Sequence, residues 1–113
     1  MRQQPEKQEQ AAIVKLLKLL GASVYIIGTK RRKGDYQGTM QTPGIPDLYV
    51  FMPVPNTCEP CFVDVWIEVK APKGRASEAQ QAFQQHCANA DVRHLVGGID
   101  VVTEWLRKWG WIK

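Results

Sequence analysis

The 113-residue chain predicts a single α/β domain, 1–113, built on a mixed four-stranded sheet flanked by helices, with an extra C-terminal helix. Three observations lead there. Apolar periodicity gives the order α-β-β-β-α-β-α, and a run of strands followed by one more strand after a helix suits a mixed sheet covered by helices. The stretch Cys61–Val69 is apolar on both faces in its later half, as expected of a central, buried strand. Between it and the preceding apolar run, Pro53-Val54-Pro55-Asn56-Thr57-Cys58-Glu59-Pro60 breaks the pairing and forms a hairpin-like loop.

The first helix covers residues 6 to 20. Ile13, Leu16, Leu17 and Leu20 recur at three and four residues and make one apolar stripe. Pro5 suits the first turn and Gly21 the stop. Glu6 lies at the head of this stripe through Gln10, Ile13 and Leu17, and Glu9 shares much of the face through Ile13, Leu16 and Leu20. Either acid is also favourably placed against the helix dipole.

Ser23–Ile27 is β-branched and aromatic, hence a strand. Residues 28–42 are too rich in glycine and polar groups for a core element, and a connection of that length suggests a function. They include Lys30, Arg31, Arg32 and Lys33, expected to contact phosphates. The plainer alternative is a solvated charged face. Leu48–Met52 is the second strand and Cys61–Val69 the third. The loop Ala71–Ala76 adds Lys73 and Arg75 to the expected phosphate contacts. Ser77 is the expected N-cap of a helix from Glu78 to Ala88, whose less polar face carries Ala79, Ala82, Phe83, His86 and Cys87. Val92–Val96 is the fourth strand. Asp100 is expected to cap a last helix bearing Val101, Val102, Trp105, Leu106 and Trp109. Trp105 and Trp109, four apart, are expected in the core. Trp111 is open to either the core or a dimer interface.

The bulk numbers set limits. A hydrophobic fraction of 44% and a charged fraction of 23% are those of an ordinary globular protein. The net charge of +4 suits a polyanionic partner. No apolar stretch approaches the roughly 18 residues of a membrane span, and no apolar signal core follows Met1, so the expected location is the cytoplasm. Three cysteines are too few for a disulfide framework.

The chemistry lies in Pro43-Gly44-Ile45-Pro46-Asp47-Leu48 and in Glu68-Val69-Lys70. Glu68 and Lys70, two apart on a strand, face the same way. In an antiparallel hairpin the start of the second strand lies opposite the end of the third, which brings Asp47 to the same edge. A phosphodiester gains negative charge as it is cleaved, and a hard divalent cation held by carboxylates offsets it. Asp47 and Glu68, with the backbone carbonyl of Val69, can hold Mg²⁺ or Mn²⁺ and leave positions for water and phosphate. Lys70 can orient the attacking water or stabilise the transition state.

Pro46-Asp47, Glu68-Val69-Lys70-Ala71-Pro72-Lys73-Gly74 and Gln80 after Ser77 together resemble the PD-(D/E)xK nuclease superfamily, and within it the VRR-NUC family. The resemblance covers nearly the whole chain. It implies a restriction-endonuclease-like αβββαβ core. It also implies a site in which Asp47, Glu68 and an acid of the first helix hold the metal, Lys70 is catalytic and Gln80 points inward. Glu6 best matches the helix acid by its distance from Gly21, with Glu9 in reserve. The match is to the stand-alone phage or bacterial type, whose members resemble dimeric Holliday-junction resolvases. The expected activity is therefore a Mg²⁺- or Mn²⁺-dependent DNA endonuclease, a homodimer acting on branched DNA such as four-way junctions. The alternatives are a nicking or restriction-type endonuclease on duplex DNA and a non-catalytic nucleic-acid-binding module. Cys58-Glu59-Pro60-Cys61 departs from the family pattern. It supplies two zinc ligands where four are usual, so a zinc-linked module would need a second pair across a dimer axis.

Overall fold

The computed structural model describes residues 5–27, 42–55 and 61–113. Within them the order is α1 (Pro5–Leu19), β1 (Ser23–Ile26), β2 (Leu48–Pro53), β3 (Phe62–Val69), α2 (Glu78–Asn89), β4 (His94–Gly97) and α3 (Ile99–Trp109), as the periodicity predicts. The sheet runs β1-β2-β3-β4. The first two pairings are antiparallel, and β3 and β4 are parallel, joined through α2. Among the described residues no helix is long and apolar enough to cross a membrane. The basic run Lys30, Arg31, Arg32, Lys33 lies outside the described residues, as does Cys58.

Alternation along the strands sorts the two faces of the sheet. Leu48, Val50 and Met52 of β2 and Val65, Ile67 and Val69 of β3 form one buried core with Ile13 and Leu17 of α1 and Val102 and Leu106 of α3. Truncating any one of these to alanine removes packing worth about 2–5 kcal/mol for the larger side chains. The intervening positions point to the other face. There Tyr25 meets Phe51 edge-on, Tyr49 stacks on Trp66 at 4.2 Å between centroids, and Phe83 of α2 meets Trp66 edge-on at 5.3 Å. Glu68 is the next residue along β3 on that aromatic face.

The caps match the sequence pattern at α2 and depart from it at α3. Ser77 caps α2 reciprocally: Gln80 N–H donates to Ser77 Oγ at 3.2 Å, and Ser77 N–H donates to Gln80 Oε1 at 2.8 Å. On α2 only Cys87 is buried; Ala82 and His86, expected on the less polar face, are exposed. The N-cap of α3 is Gly98, not Asp100, which lies inside the first turn. A side chain from α1 takes over the capping: Ile99 N–H donates to Glu9 Oε1 at 2.6 Å. The tryptophans are also redistributed. Trp109 is 59% exposed, against expectation. Left-handed Gly110 ends α3, and the chain folds back so that Trp111 stacks on Trp105 at 5.0 Å and its indole N–H donates to the Pro53 carbonyl. Trp111 and Ile112 therefore pack against the core.

Gly44 locks the segment before β2 onto α2. Its φ is +84°, and a Cβ there would collide with the backbone carbonyl of Ala79, in the first turn of α2. Neither backbone can yield cheaply, so the two segments approach closely only with glycine at this position. Gly44→Ala is expected to lower stability by about 2–4 kcal/mol, from left-handed strain together with overpacking. A urea or thermal melt beside wild type checks this, and a loss below about 0.5 kcal/mol would contradict the packing described.

Candidate active site

Asp47 is held from two sides. Its carbonyl accepts a hydrogen bond from Ile27 N–H at 2.7 Å, which extends the β1–β2 ladder by one step. Its Oδ2 accepts from Val69 N–H at 2.8 Å, across the β2–β3 pairing. Pro46, immediately before it, is fully buried. The antiparallel register Leu48↔Ile67 thus places the acid before β2 against the peptide that links Glu68 to Val69.

Glu68 is 3% exposed. Its Oε2 accepts from Gln80 Nε2 at 2.8 Å and lies 3.8 Å from Lys70 Nζ. Gln80 performs two tasks with one amide: its oxygen receives the Ser77 N–H at the helix cap and its nitrogen donates to Glu68. The helix cap therefore fixes the rotamer of a group in the site. Lys70 is held through its backbone, where its N–H donates to the Gly97 carbonyl at 3.0 Å.

Burial pushes the Glu68 carboxyl up to about 8, from an ordinary value of 4.5. The neighbouring Asp47 charge and a hydrogen bond that a protonated Glu68 can make to Asp47 add to the rise, Lys70 opposes it, and Glu6 contributes in the same direction as Asp47. The second oxygen, Oε1, is buried without any hydrogen-bond partner. A buried carboxylate oxygen with no donor, packed beside a second carboxylate, is costly unless a cation or a proton is present. The donor set is all oxygen, as Mg²⁺ and Mn²⁺ prefer.

The structure thus brings together Asp47, Glu68, Lys70 and Gln80. Glu6 is near enough for its charge to be felt at Glu68, but its side chain is exposed. Among the described residues no three His, Cys, Asp or Glu side chains form a group that could hold a metal ion. Glu9, the reserve acid, has one oxygen engaged at the start of α3. Lys73 and Arg75 are exposed on the loop that leaves Lys70. Cys61 is exposed and Cys87 buried, both as free thiols. The contributors that the sequence does not announce are backbone groups, Val69 N–H and Gly97 C=O. Main-chain atoms carry no residue signature, and only the strand register would have pointed to them.

A second polar cluster shares this sheet face. Tyr49 Oη donates to Asp64 Oδ2 at 2.6 Å, and Arg93 Nη1 lies 3.9 Å from Asp64 Oδ1. The bond to Asp64 holds the Tyr49 hydroxyl above its ordinary range. It ties β2 to β3 further from the hairpin's open end, so it steadies the sheet beside the site.

Comparison with known proteins agrees with the fold. The family model described as the VRR-NUC domain matches residues 3–98. A solved structure titled "VRR_NUC domain" superposes with a TM-score of 0.63 at 21% identity, over 94% of this chain and 97% of that one, and so shares the fold. No curated protein sequence matches. With the family model spanning α1 to the end of β4, the chain belongs to the VRR-NUC family and is a nuclease-type domain.

Proposed function

We propose that this chain is a divalent-metal-dependent DNA endonuclease, structure-selective for branched DNA such as four-way junctions, and active as a homodimer. The observation that carries the reading is the buried, unpartnered Glu68 oxygen beside Asp47, within reach of Lys70 and Gln80. A non-catalytic DNA-binding module would have no use for a buried carboxylate beside a second, half-buried one, since both repel a polyanion.

Mg²⁺ or Mn²⁺, when bound by Asp47 and Glu68, supplies the positive charge that offsets the growing negative charge on the phosphoryl oxygens. Glu6 of α1 is assigned as the third oxygen donor, and the Val69 carbonyl is the remaining candidate. Asp47 keeps its orientation because Val69 N–H holds one of its oxygens. Gln80 holds Glu68 from the side of α2. Lys70, beside Glu68, presents an ammonium to the attacking water and to the charge that develops in the transition state. Lys73 and Arg75, exposed on the loop that leaves Lys70, are assigned to phosphate contacts, as are Lys30, Arg31, Arg32 and Lys33.

Support for a two-fold assembly comes from exposed apolar groups. Tyr25 is 49% and Ile26 54% exposed on β1, the edge strand of the described sheet, which a second copy would cover. A four-way junction offers two symmetry-related strands, and a two-fold protein offers two sites. Sedimentation at concentrations where both junction strands are cut is expected to show a dimer, and a monomer there would remove the assembly from the reading.

Labelled linear, flapped and four-way DNA, each with Mg²⁺, Mn²⁺ or EDTA, tests the activity. Cleavage is expected with metal alone and best on the four-way substrate. Asp47→Ala and Lys70→Ala are expected to lower kcat by about 10²–10³-fold, and Gln80→Ala by about 10- to 100-fold. Full activity in Asp47→Ala or Lys70→Ala would overturn the assignment. Equal cutting of linear duplex would favour a restriction-type enzyme.

Metal-free stability should depend on pH through Glu68. Its folded-state value, about 8, lies above its ordinary 4.5, so the folded protein holds a proton that the unfolded chain has lost. Its contribution is complete below pH 4.5 and is lost as pH rises to about 8. In EDTA, Tm should therefore fall across that window, and Glu68→Gln should flatten the fall. Mn²⁺ should raise Tm more at pH 8 than at pH 5, because the cation replaces the proton.

A further inference from the structure

We infer that Glu9 is a positioning residue of this site, joining the first helix to the turn that holds Lys70. The inference rests on the nuclease reading above. Glu9 lies one turn from Glu6 on α1, yet its Oε1 accepts from Ile99 N–H at 2.6 Å, 90 residues away in the chain. The fit at Gly98 is tight: a Cβ there would overlap Glu9 Oε1. The carboxylate therefore rests directly on the Gly97-Gly98 backbone. The carbonyl of Gly97 in turn accepts the Lys70 N–H at 3.0 Å, and Gly97 pairs with Val69 in the β3–β4 ladder.

One continuous path thus runs from α1 to the catalytic lysine: Glu9 to the Gly98–Ile99 peptide, Gly97 to Lys70. A cleft of about 310 Å³ opens along it, lined by Glu9, Lys70, Pro72, Gly98 and Asp100. Space beside the link means that no side-chain packing replaces it when it is cut. Moving the Glu9 carboxylate shifts the Gly97-Gly98 backbone that aims Lys70. An acid that accepts at a helix start is well matched electrostatically, since that end of α3 carries unpaired N–H groups and partial positive charge. Here the capping side chain comes from another helix, so the cap also sets an inter-helix distance.

The role differs from metal ligation in what must survive substitution. A ligand needs the negative charge, whereas a positioning contact needs only an acceptor oxygen of the same reach. Four proteins decide it beside wild type and Asp47→Ala: Glu9→Gln, Glu9→Ala, Gly98→Ala and the double variant Glu9→Ala/Gly98→Ala. For each, kcat and KM are measured on one labelled DNA, Mn²⁺ affinity by calorimetry, and Tm. Glu9→Ala is expected to lower kcat by about 10- to 100-fold in folded protein, with Mn²⁺ affinity and the KM for DNA unchanged. Glu9→Gln restores most of the rate. Gly98→Ala falls with Glu9→Ala, and the double variant is no worse than either, because both cut the same link.

Loss of Mn²⁺ affinity in Glu9→Gln, matching that in Asp47→Ala, would make Glu9 a ligand and overturn the inference. A lower Tm in Glu9→Ala with an unchanged kcat would make it a structural cap alone and would overturn it too. The Glu9 variants separate these outcomes even where Gly98→Ala does not fold. Wild-type protein that cuts no DNA with any metal would instead count against the nuclease reading, and this inference falls with it. Active wild type with an unaltered Glu9→Ala counts against this inference alone.

Discussion

Leu48 pairs with Ile67, and that one register sets the site. It places Asp47, the residue before β2, against the Glu68–Val69 peptide, where Val69 N–H binds the Asp47 carboxylate at 2.8 Å. A slip of one residue would turn Leu48, Val50 and Met52 out of the core and carry Asp47 off the peptide that holds it. The core and the site are therefore specified by the same constraint. The apolar face that secures the register does so at no cost to the site, because the catalytic candidates occupy the alternate positions of β3.

Burial of Glu68 creates the site's electrostatic character. A carboxylate that is 3% exposed, with one oxygen lacking any donor, favours its neutral form. Gln80 and Lys70 meet the other oxygen and offset only part of the penalty. Asp47 nearby makes the pair more costly still. Such an arrangement lowers its free energy by taking up positive charge, which is the property a metal-dependent phosphodiesterase needs. The capping box of α2 belongs to the same design: it fixes Gln80, so a local helix-start signal becomes a constraint on a buried acid 12 residues away.

Much of this was legible from sequence for identifiable reasons. The stripe Ile13, Leu16, Leu17, Leu20 and the apolar run ending at Val69 are short-range patterns whose period reveals the element. Ser77 before Glu78 announces the N-cap of α2. The hairpin between Leu48–Met52 and Cys61–Val69 then implies the meeting of Asp47 with Glu68 and Lys70. What the pattern did not carry was the fate of groups at element ends. Asp100 has the residue type of a cap, but Glu9 reaches Ile99 N–H instead. Trp109 has the spacing from Trp105 that suits the core, but the left-handed Gly110 turns Trp111 into that position.

The element order, the strand faces and the convergence of Asp47, Glu68 and Lys70 are legible in the chain alone, whereas Gln80 enters only through the family resemblance. The first three follow from periodicity and from neighbours close along the chain or across one hairpin. Spacing does not separate Glu6 from Glu9; in the folded chain Glu9 accepts from Ile99 N–H, and the Glu6 charge adds to the rise of the Glu68 carboxyl. Both share the striped side of α1 by their spacing, and their roles depend on how that helix is seated against the sheet and α3. That seating comes from contacts between residues far apart in sequence, of which the 90-residue link from Glu9 to Ile99 is the clearest case. No local period encodes it, because the partner is a backbone N–H on another helix.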